Sequence, residues 1–144
     1  LMEKGINFTK IVDETFYTKT YNQNRIMGKA LLESRLYLDG ALIVGVIAQE
    51  DMKAFDVLPK HLDGIVNQLR VTRDVEVAAF LYEIAGGYKL SLRSNGKVNV
   101  SKIAVAFGGG GHVMAAGADM KESPEEIIRL LCDSVREQLE TPDQ

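Results

Sequence analysis

The 144-residue chain predicts an α/β fold: a mixed β-sheet with helices packed on it, preceded by an N-terminal helical segment. Three stretches carry this expectation. Ala41 to Ala48 is a continuous apolar run rich in β-branched residues, the pattern of a strand buried on both faces. Tyr88 to Arg93 alternates strictly after Gly86-Gly87 and reads as the second strand of a hairpin. Ser123-Pro124-Glu125-Glu126 opens a helix with a cap, a proline at the first helical position and a capping-box glutamate.

The remaining elements follow in order. Ile6 to Leu36 reads helical, with Ile11, Ile26, Ala30, Leu31 and Leu32 as apolar positions, and Asn22 and Asn24 predict a break into two helices. Asp39-Gly40 is a turn into the buried strand. Glu50 to Phe55 predicts a short helical turn, and Lys60 to Leu69 a helix begun after Pro59. Val75 to Tyr82 is a strand feeding the hairpin. Along Tyr88 to Arg93, Leu90 and Leu92 face one side of the sheet, while Lys89, Ser91 and Arg93 face the other. Asn95-Gly96 makes a turn, and Val100 to Phe107 a short helix capped by Asn99 or Ser101. In the last helix, Ile128, Leu131, Val135 and Leu139 form one apolar stripe. Strands mixed with helices, including a hairpin, imply a mixed sheet with helices against it.

Charge and composition narrow the function. A net charge of −3 argues against a long nucleic-acid track, which needs a basic surface to displace counterions. A small nucleotide or a very short oligonucleotide in a local pocket remains compatible with it. Cys132 is the only cysteine, so no internal disulfide forms and a cytoplasmic setting is expected. The apolar run Ala41 to Ala48 is far shorter than the roughly 20 residues of a membrane helix, so no membrane partner is expected. Leu1 before Met2 points to a tag remnant or to excision from a longer polypeptide.

The chemistry concentrates in Gly108-Gly109-Gly110-Gly111-His112. Four glycines free a backbone of β-carbons, so its amides can approach a ligand closely. A linker would carry serines and charges, whereas this run joins Ala104-Val105-Ala106-Phe107 to Val113-Met114-Ala115-Ala116. No Lys-Ser or Lys-Thr follows, which excludes a nucleoside-triphosphate phosphate loop. The dinucleotide fingerprint fails as well, because its third glycine is misplaced and the run follows a helix. The composition therefore predicts an anion site. If Val113 to Ala116 form a helical turn, its free amides attract a phosphate oxygen, and the His112 imidazole adds a donor. Arg93, on the polar side of its strand with Lys89 and Ser91, is placed to share that cleft and grip a phosphate in bidentate fashion. His61 reads as a surface or helix-cap residue and Cys132 as packing. One cysteine and two separated histidines do not supply a zinc ligand set.

Ser91-Leu92-Arg93-Ser94, Val98-Asn99-Val100-Ser101-Lys102-Ile103-Ala104, Phe107 to His112 and Ala115-Ala116-Gly117 together resemble the DHHA1 domain. That domain is the C-terminal half of DHH-family phosphoesterases, and the likeness is nearest to the bacterial nanoRNase/pAp-phosphatase group. The resemblance covers about Asp39 to Leu139, with its motifs between Ser91 and Gly117. It implies substrate contacts at Arg93, Ser94, Gly109, Gly110, Gly111 and His112. It also implies a preceding DHH domain whose aspartates and histidines hold two manganese ions, with the DHHA1 domain clamping substrate across a cleft. Residues 1–38 would be the helical connector from that upstream domain, and 39–144 the substrate-binding domain. Asn99 stands where an aspartate is common, which alters only a helix cap. No Asp-His-His occurs in the chain, so no catalytic residue and no metal or cofactor is expected within it, and alone it should bind without cleaving.

The expected activity of the parent polypeptide is hydrolysis of short oligoribonucleotides, 3′-phosphoadenosine-5′-phosphate (pAp) or related small nucleotides. Three alternatives stand beside it. One is a non-catalytic nucleotide-binding or regulatory module, and another is the DHHA1 part of a RecJ-like single-strand exonuclease. The third, an accessory domain of the alanyl-tRNA-synthetase type, would need a more basic surface than −3 provides. Homodimerisation is left open.

Overall fold

A computed structural model describes residues 18–141. Helix α1 spans Tyr21–Glu33 and opens with a full capping box: Thr20 accepts from the Gln23 amide, and Gln23 accepts from the Thr20 amide, both at 3.0 Å. The helix begins at Tyr21, just before Asn22 and Asn24, with Thr18 to Thr20 non-helical, and the part of the expected segment before residue 18 lies outside the described residues. Its C-terminal end differs too. Ser34 closes the helix, its hydroxyl donating to the Leu31 carbonyl, and Arg35–Tyr37 is a short strand, β1, not more helix.

Strand β1 pairs antiparallel with β2 (Leu42–Ile47) after the expected Asp39-Gly40 turn. Strand β2 is buried along nearly its whole length, as a strand covered on both faces must be. Helix α2 (Gln49–Ala54) follows. The helix expected over Lys60 to Leu69 divides instead: a 3₁₀ turn at Pro59–Leu62, then Asp63-Gly64, then α3 (Ile65–Arg70). Gly64 sits at φ 97°, a conformation no helix interior tolerates.

Strand β3 (Val77–Ile84) runs parallel to β2 and turns into β4 (Gly87–Ser94). Ile84 pairs with Gly87, so the turn is Ala85-Gly86, one residue earlier than expected. Gly87 belongs to the strand, and glycine is required there because a β-carbon would collide with the Met120 carbonyl. Helix α4 (Val100–Ala106) is capped by Asn99, whose side chain accepts from the Lys102 amide at 3.2 Å. Strands β5 (Gly110–His112) and β6 (Ala115–Met120) form a second hairpin, and α5 (Pro124–Glu140) closes the fold behind its Ser123 cap.

These strands form one mixed sheet in the order β1-β2-β3-β4-β6-β5, as the α/β reading expects. One face is covered across β2, β3, β4 and β6: Val44, Val77, Leu81, Leu90, Leu92 and Ala116 pack with Ile103 of α4 and with Ile127, Leu131 and Val135 of α5. Ile128 and Leu139 of the expected stripe, and Cys132, flank this core half-buried. The opposite face is covered only in part. There Ile26 and Ala30 of α1 and Val66 and Leu69 of α3 share a buried cluster with Ile43, Ile47, Ala78 and Phe80. Among the described residues, the strand members of that cluster come from β2 and β3 alone. Among the described residues, no apolar cluster covers the β4-β6-β5 half of this face, and α3 reaches only its β4 edge, where Asn67 meets Arg93. No helix among the described residues is long and apolar enough to cross a membrane.

Candidate functional site

Residues directly opposite in antiparallel strands point to the same side, and successive residues alternate. The register therefore assembles the open half-face. Arg93 pairs with Ala115, which pairs with His112. The next row is Ser91, Gly117 and Gly110, and beyond it Lys89 pairs with Asp119. Two strand spacings separate Arg93 from His112, about 9.5 Å. Side chains at that separation can converge on one phosphate-sized group.

Arg93 is held before any ligand arrives. Its Nε donates to Asn67 Oδ1 of α3 at 3.2 Å, and an Nη donates to the Leu92 carbonyl at 2.9 Å. A guanidinium has five N–H donors, so three remain for a ligand. His112 is exposed on β5, the edge strand, where a row of backbone groups is not taken by the ladder. On that strand the Ser101 hydroxyl donates to the Gly111 carbonyl at 3.4 Å. Lys89 and Asp119, both exposed, face each other at 3.6 Å at the far end of the surface.

The glycines divide by function. Gly108, at φ 90°, ends α4. A β-carbon on Gly109 would strike the Gly117 carbonyl, and one on Gly111 would lie 2.5 Å from Ala116 Cα. These two let β5 lie close against β6. Gly110 is different: among the described residues nothing lies within 4 Å of where its β-carbon would be, and its φ is not positive. Among the four it alone is glycine without a packing or backbone reason.

The helical turn expected over Val113 to Ala116 does not form. Val113-Met114 is the turn between β5 and β6, and Ala115 begins β6. The carbonyls of Val113 and Met114 accept from the amides of Val100 and Ser94. This place therefore offers side chains and an edge strand, not a helix N-terminus. Ser94 also lies apart from Arg93: it faces the other side, is 1% exposed, and its hydroxyl oxygen accepts from the Gly96 amide at 3.0 Å.

His61 caps its own 3₁₀ turn, its Nδ1 accepting from the Leu58 amide at 2.9 Å, as a helix-cap residue should. Burial pushes the Cys132 thiol above its ordinary value, with Asp133 adding to this and Arg136 opposing it. That thiol is a weak nucleophile. Among the described residues, no group of three or more His, Cys, Asp or Glu could hold a metal ion, so they do not fit a manganese site. A cavity of about 560 Å³ lies elsewhere, between α4 and α5, lined by Lys97, Lys102, Ile103, Val113, Ser134 and Glu137 among others. It contains none of Arg93 or Gly109 to His112. Sequence reasoning missed Asn67, which with Gln68 forms the polar pair inside Ile65-Val66-Asn67-Gln68-Leu69.

The sheet order and the motifs along β4, α4, β5 and β6 define an α/β domain of one mixed open sheet. The DHHA1 domain family matches residues 39–141, and the chain belongs to that family. It is 30% identical over 145 residues to the bifunctional oligoribonuclease and PAP phosphatase NrnA of Thermus thermophilus, an alignment spanning 96% of this chain and 41% of that protein. The NrnA of Mycoplasma pneumoniae is 44% identical over 54 residues, 38% of this chain and 16% of that protein. The crystal structure of an exopolyphosphatase-related protein from Bacteroides fragilis superposes with a TM-score of 0.86 at 26% identity, covering 99% of this chain and 42% of that one. The chain thus spans about two fifths of the Thermus and Bacteroides proteins.

Proposed function

We propose that this chain is the substrate-binding part of a manganese-dependent DHH-family phosphoesterase that hydrolyses short oligoribonucleotides, pAp or related small nucleotides. The observation that carries the reading is the shared row of Arg93 and His112 on the open half-face, beside Gly110 and Gly117. Arg93 takes the substrate phosphate with its free Nη donors. His112 hydrogen-bonds the same group from the opposite side. Gly110, with no side chain and open space above it, lets the nucleotide lie flat on the sheet. Ser94 contributes from beneath by fixing the turn that follows Arg93. An upstream DHH domain of the same polypeptide closes the clamp, and its metal pair, when bound, supplies an activated water for attack on phosphorus. Binding by this chain alone is weak, because half the contacts belong to the other jaw.

Isothermal calorimetry with pAp tests the reading on the wild-type chain, Arg93→Ala and His112→Ala. The expected result is measurable binding by the wild type and a loss of about ten-fold or more for Arg93→Ala. Equal binding by all three proteins overturns the residue assignment. Manganese-dependent phosphate release by the chain alone overturns the placement of the chemistry in the other domain.

A further inference from the structure

We propose that Asn67 is a positioning residue that presets the Arg93 guanidinium for the ligand phosphate, a role that rests on the nucleotide-binding reading given above. Asn67 lies on α3, whose Ile65, Val66 and Leu69 are buried against the sheet. That burial turns Asn67 outward over the rim of the open half-face, where it is itself exposed. Its Oδ1 accepts from Arg93 Nε at 3.2 Å, a contact that spans 26 residues of sequence.

The same edge of α3 makes a second link to β4. Arg70, three residues on and so on the same side of the helix, donates from an Nη to Asn95 Oδ1 at 3.2 Å. Asn95 returns its amide to the carbonyls of Arg70 at 3.0 Å and Val75 at 2.8 Å. Two rungs, Asn67 to Arg93 and Arg70 to Asn95, thus tie α3 to the end of β4. The lower rung fixes the backbone after Ser94. The upper rung has a different consequence, because it engages the one guanidinium N–H that cannot take part in a fork through both Nη atoms. With Nε tied to Asn67 and one Nη hydrogen tied to the Leu92 carbonyl, the plane of the group is set and the remaining donors stay available. An arginine side chain has large rotamer freedom to lose, so one ordered beforehand binds more tightly with no new contact to the ligand.

The test combines binding and a direct view of the arginine. Asn67→Leu keeps the size and removes the acceptor, and Asn67→Gln returns an amide acceptor on a longer stem. For pAp at fixed ionic strength, Asn67→Leu is expected to raise Kd roughly five- to ten-fold, with Asn67→Gln recovering most of the loss. In an Arg93→Lys background, where the charge stays and Nε–H is gone, Asn67→Leu changes Kd by less than about two-fold. In ¹H–¹⁵N spectra without ligand, the Arg93 Nε–H signal is sharp in the wild type and lost to exchange in Asn67→Leu, at unchanged Tm. Wild-type affinity in Asn67→Leu while Arg93→Ala binds poorly overturns the positioning role and leaves the nucleotide reading standing. An equal loss from Asn67→Leu in both backgrounds, or an unchanged Nε–H signal, also overturns it. Wild-type affinity in Arg93→Ala overturns the assignment of the phosphate to Arg93, and pAp binding by none of the proteins, wild type included, overturns the nucleotide reading itself.

Discussion

Leu92 and Arg93 are neighbours on one strand and serve opposite ends. Leu92 is fully buried in the core under α4 and α5, while Arg93 lies on the half of the other face where, among the described residues, no apolar cluster sits. The glycine run repeats the contrast at single-residue scale. Gly109 and Gly111 are glycine because β6 lies against them, and Gly110 is glycine with open space above it. Packed and unpacked positions are thus interleaved along the chain, and on the proposed reading substitution at adjacent positions separates stability from recognition.

The largest effect falls on the packed side. Gly111→Ala puts a methyl group against Ala116 at a φ of 147°, and we expect a loss of about 3 kcal/mol or more in urea unfolding. A loss under about 0.5 kcal/mol would show that β5 does not sit tightly on β6. Next is Arg93→Ala, expected to weaken pAp by about ten-fold or more, which corresponds to 1.4 kcal/mol or more, with little change in Tm. Unfolding of that variant would place Arg93 with the core residues. Gly110→Ala sharpens the contrast most finely: stability within about 0.5 kcal/mol of wild type, and pAp binding weaker by roughly three- to five-fold. Binding unchanged in Gly110→Ala would mean that no ligand passes over that position.

The smallest effect concerns the first turn of α5. Arg129 hydrogen-bonds Glu126 and holds its carboxyl below the ordinary value of 4.5. A depressed folded value stabilises above the unfolded one and is lost as pH falls through the folded value. The Tm advantage of wild type over Glu126→Gln is therefore expected at pH 7 and should close below pH 4.5. A gap that stays constant to low pH would assign it to something other than this ion pair, which is solvent-exposed and modest.

Much of this was legible in the chain itself. Strict alternation from Tyr88 to Arg93 placed Arg93 opposite Leu90 and Leu92, and apolar run length identified β2. Local capping chemistry located α4 and α5. What stayed hidden depends on partners distant in sequence. Strand β5 is three residues, two of them glycine, and exists because β6 pairs with β4 on its other side. Ala115-Ala116 suits a helix by propensity, and that pairing overrides it. Strand β1 is equally short, and its pairing with β2 overrode the helical pattern before it. The Asn67–Arg93 bond joins residues 26 apart and leaves no periodic trace.

The open half-face and the α4–α5 cavity are the two concave or unfilled surfaces at issue, and one measurement separates them. Titrating pAp into ¹⁵N-labelled chain and following backbone amides is expected to shift Ser91, Arg93, Gly110, His112, Ala115 and Gly117. Shifts confined instead to Lys97, Lys102, Ser134 and Glu137 would contradict the assignment of the nucleotide to the sheet.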